Sequence, residues 1–191
     1  MPNPPFALFI TWTTYGTWLP GDPRGYVSNT LMKNGRYTSR RSQHGEPVSR
    51  DNPHTFAAAK KAQQHETVWL LPQQAFTVAE AMKNAAAARH WHIIRAAVMA
   101  GHVHTLTANC PDDGPAVRRI LKGVSSAALS AGAGHPGRWW TRGGSGRYLH
   151  SQRSLDAVEA YIRNQRAILC EIINMQVIPR HTRGRPATPV N

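Results

Sequence analysis

Apolar and β-branched residues gather first at 6–13, FALFITWT, which predicts a strand buried on at least one face. The Gly- and Pro-dense stretch that follows, YGTWLPGDPRGYV, must be loop. From Pro20 to Pro53 periodicity is lost and polar residues dominate, so a long irregular insertion is expected at about 20–54. Helix formers at 55–66 predict a short helix, and Val68, Trp69, Leu70 and Leu71 a short edge segment that ends at Pro72. Thr77 is placed to cap a helix that runs to about Trp91, with Glu80 at the capping-box position. HIIRAAVMA (92–100) and HVHTLTAN (102–109) read as two strands of a hairpin turning at Gly101. DDGPAVRRILKGVSSAALSAG opens as a helix should, and places Val117, Ile120, Leu121, Val124 and Ala128 on one face. Arg118, Arg119 and Lys122 point away from that face. GRWWTRGGSGRYLH suggests a strand broken by a glycine turn, and Ser154 a cap for a last helix from Leu155 to about Ile173.

The order strand, helix, strand, strand, helix, strand, helix predicts an α+β fold. It is a ferredoxin-like split βαβ arrangement with an antiparallel sheet and an extra C-terminal helix. One domain over 1–178 is expected, followed by a basic tail at 179–191 that is too polar and Pro-rich to pack. Lys and Arg number 23 against 10 Asp and Glu, for a formal charge of +13. Such a balance points to a polyanionic partner, most simply nucleic acid, with a solubilising surface as the bland alternative. Cys110 and Cys170 form no paired spacing, which argues against a disulfide framework or a structural zinc site. The first residues lack the features of a signal peptide, and no apolar run is long enough to span a bilayer. A cytoplasmic, DNA-associated protein is the expectation.

The chemistry centres on two histidines. His102 and His104 stand two apart in a predicted strand, so both imidazoles project from one face, with Cα atoms about 6.6 Å apart. Two neutral imidazoles at that spacing can share a divalent metal, although most such pairs are surface or hydrogen-bonded histidines. On the last helix the apolar stripe Leu155, Val158, Ile162, Leu169 and Ile172 is interrupted by Gln165, whose amide then needs a partner near the sheet. Tyr161 lies one turn before it. If that helix covers the histidine face, Gln165 can be a third metal ligand with Tyr161 beside it. Otherwise Gln165 bonds to backbone and Tyr161 is an ordinary boundary residue.

GHVHTLT resembles the HUH motif, and YIRNQ the tyrosine helix, of one-tyrosine HUH transposases. TWTTYGTWLPGDPRG, VRRILKGVSS and WWTRGGSGRYL, in that order, resemble segments of the REP-associated tyrosine transposases. The resemblance runs through most of 6–170. It implies a single-stranded DNA endonuclease and strand transferase acting near DNA hairpins. Tyr161 would be the nucleophile, forming a 5′-phosphotyrosine, and His102, His104 and Gln165 would hold Mg²⁺ or Mn²⁺. Arg118, Arg119 and Lys122 suit phosphates, and Trp12, Tyr15, Trp18, Trp139 and Trp140 offer stacking surfaces, about half of them expected in the core. The implied partner is single-stranded DNA that forms hairpin repeats, and the protein itself would be a monomer or homodimer. The principal alternative is a hairpin DNA- or RNA-binding protein on the same fold that does not cut. A zinc hydrolase is less consistent, because no Asp or Glu lies between Ala81 and Pro111 to serve as base.

Overall fold

The computed structural model describes residues 6–23, 52–132 and 137–180. Most of the expected irregular insertion, with Tyr26 and Tyr37, and the tail at 181–191 lie outside the described residues. The fold is α+β. Its elements are β1 (Ala7–Thr13), α1 (Pro53–Lys61), α2 (Pro72–Ala87), β2 (His92–Met99), β3 (His102–Ala108), α3 (Gly114–Gly132), β4 (Ser145–Leu149), α4 (Gln152–Arg163), β5 (Ile168–Ile173) and β6 (Gln176–Pro179). One antiparallel sheet has the order β4-β1-β3-β2-β5-β6. The segment β4-β1-β3-β2 is the ferredoxin-like split βαβ expected from the element order.

Alternation along the strands gives the sheet two different faces. Leu8, Ile10 and Trp12 of β1 join Val103 of β3 in the larger core, covered by α2 and α3 through Val78, Met82, Val117 and Leu121. The opposite face carries Ala7, Phe9, Ala97, Met99 and Leu106, packed against Val158 and Ile162 of α4. The cross-strand partners Thr11↔His104 and Thr13↔His102 place both histidines on this second face, as their spacing predicted.

Three sequence expectations are corrected. α2 begins five residues before Thr77, because Pro72 fits the first turn and the Gln74 side chain accepts a hydrogen bond from the Leu71 backbone N–H. Thr77 instead donates to the Gln73 carbonyl within the helix. α4 is capped by Ser151, whose hydroxyl accepts from the Ser154 backbone N–H. It also ends at Arg163, not near Ile173. Ala167 then takes a left-handed conformation (φ 54°), and the chain returns as the β5–β6 hairpin through Asn174 (φ 47°) and Met175 (φ 64°). Ile172 therefore packs into the larger core from β5 and is not part of a helical stripe. A strand with both faces covered reads as a continuous apolar run, and ILCEII is as compatible with a buried helix as with a strand.

Candidate active site

The α4 face of the sheet brings Tyr161 to the histidine pair. The imidazole centroids of His102 and His104 are 4.9 Å apart. The Tyr161 ring stands edge-on to His104 at 5.3 Å and to Phe9 at 6.0 Å. Phe9 lies 5.7 Å from His104 and closes the group from β1. Tyr161 is nonetheless 50% exposed, so a large substrate can reach it. The apolar side of α4, Leu155, Val158 and Ile162, sets this position by packing on the sheet.

His104 is buried, and its Nδ1 lies 2.7 Å from the Thr11 hydroxyl. That contact leaves Nε2 as the nitrogen available to a ligand. Burial, reinforced by His102, pulls the His104 pKa down from 6.5 to about 3, so the ring is neutral at neutral pH. Two imidazoles, one of them held neutral with one nitrogen already engaged, fit the chemistry of a divalent-metal site. Among the described residues no group of three or more His, Cys, Asp or Glu accompanies them. Among the described residues, an amide such as that of Gln165 is then the kind of protein donor left beside them.

Gln165 takes the backbone-bonded arrangement. It sits just beyond α4, and its amide nitrogen donates to the Tyr161 carbonyl at 3.1 Å. Its second amide N–H and its amide oxygen remain for other partners, and only the oxygen can ligate a metal. Tyr148, the other tyrosine near the last helix, pairs with Leu8 and so lies on the opposite face of the sheet. Its hydroxyl accepts from the Gly114 backbone N–H at the start of α3.

The expected DNA-contacting residues separate into two groups. Trp12, Trp139 and Trp140 are 1%, 5% and 6% exposed, which removes their faces from any base. Trp12 and Trp140 pack edge to face, and the indole N–H groups of Trp139 and Trp140 donate to the Ser130 hydroxyl and the Lys122 carbonyl. Tyr15 is half-buried, with its ring against His65 and its hydroxyl accepting from the Gln64 backbone N–H. Trp18 stays exposed. So does Trp69, which the sequence reading left in an edge segment. Its signal was alternation, since Val68 and Leu70 are buried while Trp69 and Leu71 are exposed.

Arg118, Arg119 and Lys122 line an open groove of about 840 Å³ together with Arg138 and Arg142. The groove lies on the α3 side of the sheet, opposite Tyr161. Lys122 is already committed, donating to the Thr141 and Gly143 carbonyls at 2.5 and 2.7 Å. Burial and the neighbouring Arg118 lower its pKa to about 8. Arg118 donates to the Gly144 carbonyl, whereas Arg119 is exposed. At Gly144 (φ +139°) a Cβ would meet the Thr11 carbonyl at 2.6 Å, so only glycine lets this loop run so close to β1.

Residues the sequence reading missed are Thr11 and Phe9, which share the histidine face through β1, and Arg95. An arginine inside HIIRAAVM was visible as an anomaly, but its partners lie far away in sequence. No protein-family model matches the chain, and no curated protein matches it. Among solved structures, the chain is similar to a candidate transposase from Deinococcus radiodurans R1. That match has a TM-score of 0.40 and 15% identity, and covers 85% of this chain and 92% of the other. It is also similar to a REP-associated tyrosine transposase bound to a REP hairpin, with a TM-score of 0.44 and 12% identity, covering 83% of this chain and 65% of that one.

Proposed function

We propose that the protein is a one-tyrosine HUH enzyme that cuts and rejoins single-stranded DNA near hairpins, with Tyr161 as nucleophile. The observation that carries this reading is the contact of the Tyr161 ring with His104, with His102 at its side, on one face of the sheet. The order of motifs along the chain supports the same assignment. Tyr161 Oη attacks the scissile phosphorus, an O–P bond forms, and the P–O3′ bond breaks. The phenolic proton leaves to solvent, and the departing oxygen is protonated to a free 3′-OH. Because the phosphotyrosine keeps a phosphodiester-like bond, attack by a 3′-OH reverses the step without ATP.

His102 and His104 would hold Mg²⁺ or Mn²⁺, with the Gln165 amide oxygen as the third protein donor. When bound, the metal supplies charge stabilisation at the phosphate. Thr11 orients the His104 ring from β1, and Phe9 and His104 together fix the Tyr161 ring. Exposed arginines of the α3 groove supply phosphate contacts on the other face of the sheet, and Trp18 and Trp69 can stack unpaired bases.

The test is incubation with end-labelled hairpin single-stranded DNA and Mg²⁺ or Mn²⁺, followed by a denaturing gel. A covalent adduct is expected, mapped to Tyr161 by mass spectrometry. It should be absent for Tyr161→Phe, which removes only the hydroxyl, while hairpin affinity stays within a few-fold. An adduct on Tyr148, or cutting by Tyr161→Phe, would overturn the assignment. Binding without any adduct would favour the non-cutting alternative.

A further inference from the structure

Beneath α4 lies a charged network that the catalytic reading does not use. Arg95, 8% exposed, points from β2 toward the face that α4 covers. Its Nε donates to Glu159 of α4 at 3.2 Å, and its Nη1 donates to Glu171 of β5 at 3.3 Å. Glu171 is fully buried and receives Arg180 on its other oxygen. The register of β2 shifts between Ile93 and Arg95, a bulge of the kind that re-aims a side chain. Ile94 packs in the α4 core, and Arg95 beside it reaches Glu159 on α4.

We infer that the Arg95–Glu159 pair, backed by Glu171, is the device that positions the Tyr161 nucleophile; this inference rests on the tyrosine reading above. α4 is only 12 residues long and fully buries just two side chains, Val158 and Ile162. Apolar packing of so small an area resists separation but is weak against sliding and rotation, because it is non-directional. A hydrogen-bonded ion pair is directional. Glu159 is two residues from Tyr161, and Arg95 ties it to the strand next to β3, which carries the histidines. The double grip on Arg95 separates its two partners in function. Glu171 keeps the guanidinium paired inside the protein, while Glu159, 34% exposed at its side chain, transmits its position to the helix. Glu159 can therefore be removed without leaving Arg95 without a buried counter-charge.

The experiment compares Glu159→Ala and Glu159→Gln with wild type in three measurements. These are the single-turnover rate of adduct formation on hairpin single-stranded DNA, hairpin affinity, and amide hydrogen exchange along the chain. Glu159→Ala should slow adduct formation by about 10- to 100-fold, as expected when a nucleophile drifts by an ångström or so. Affinity should stay within about 3-fold, and faster exchange should be confined to α4. Glu159→Gln keeps an oxygen for Arg95 and should recover most of the rate. The inference is overturned if Glu159→Ala reacts at the wild-type rate, or if the glutamine variant is as slow as the alanine one. It is also overturned if exchange rises across β2 and β3, which would mark a general structural loss. Should wild type form no adduct at all, the catalytic reading fails, and exchange confined to α4 still decides whether Glu159 anchors the helix.

Discussion

His104 has its Nδ1 against Thr11 and its ring clustered with those of Phe9 and Tyr161, and its burial, with His102 beside it, disfavours the charged imidazolium. Its folded pKa of about 3 lies below the ordinary 6.5. Between those values the unfolded chain binds more protons than the folded one, so stability rises with pH across this window and is lost on acidification. His104→Gln keeps a partner for Thr11 but cannot titrate. In chelator, wild type is expected to lose up to a few kcal/mol more than this variant between pH 7 and pH 4. Chemical denaturation at several pH values checks this, and parallel curves for the two proteins would contradict it.

At the level of elements, two residues expected to contact DNA also hold the fold together. Lys122 and Arg118 extend from α3 and hold the carbonyls of the loop that enters β4. The helical wheel correctly placed both outside the apolar stripe, but it could not show that a loop from 20 residues later would cover them. Lys122→Ala should therefore lower stability by about 1–3 kcal/mol, through loss of charge-assisted bonds to carbonyls that are then left short of a donor. Thermal melting without DNA checks this, and a melting temperature equal to wild type would return Lys122 to the DNA surface. The C-terminal region makes the same point. Asn174, directly after the apolar run in INMQ, is a local hint of the tight turn between β5 and β6.

Across the whole molecule, a formal charge of +13 predicts DNA binding that weakens steeply with salt. The slope of log affinity against log salt should be several units, and Arg119→Ala should reduce its magnitude by about 0.7 on single strands, with little change in melting temperature. A slope unchanged by Arg119→Ala would take the α3 groove out of the DNA path. The groove and Tyr161 lie on opposite faces of one sheet, so a substrate that uses both must pass an edge of it. β4 is the nearer edge to the groove, and its exposed Arg147 pairs in register with Phe9 on the Tyr161 side. Among the described residues no helix is long and apolar enough to cross a membrane.

The sequence by itself determined whatever depends on short-range periodicity. A two-residue repeat put His102 and His104 on one strand face, helical spacing put Val158 and Ile162 on one side of the tyrosine helix, and the element order implied the split βαβ sheet. Only the tertiary structure decided what depends on meetings between distant segments. It set Tyr161 against His104, chose Thr11 as the partner of Nδ1, buried Trp12, Trp139 and Trp140, and joined Arg95 to Glu159 and Glu171. The physical reason is that periodicity fixes the direction of a side chain relative to its own element. What it meets in that direction is set by the packing of other elements, and that is a property of the whole fold.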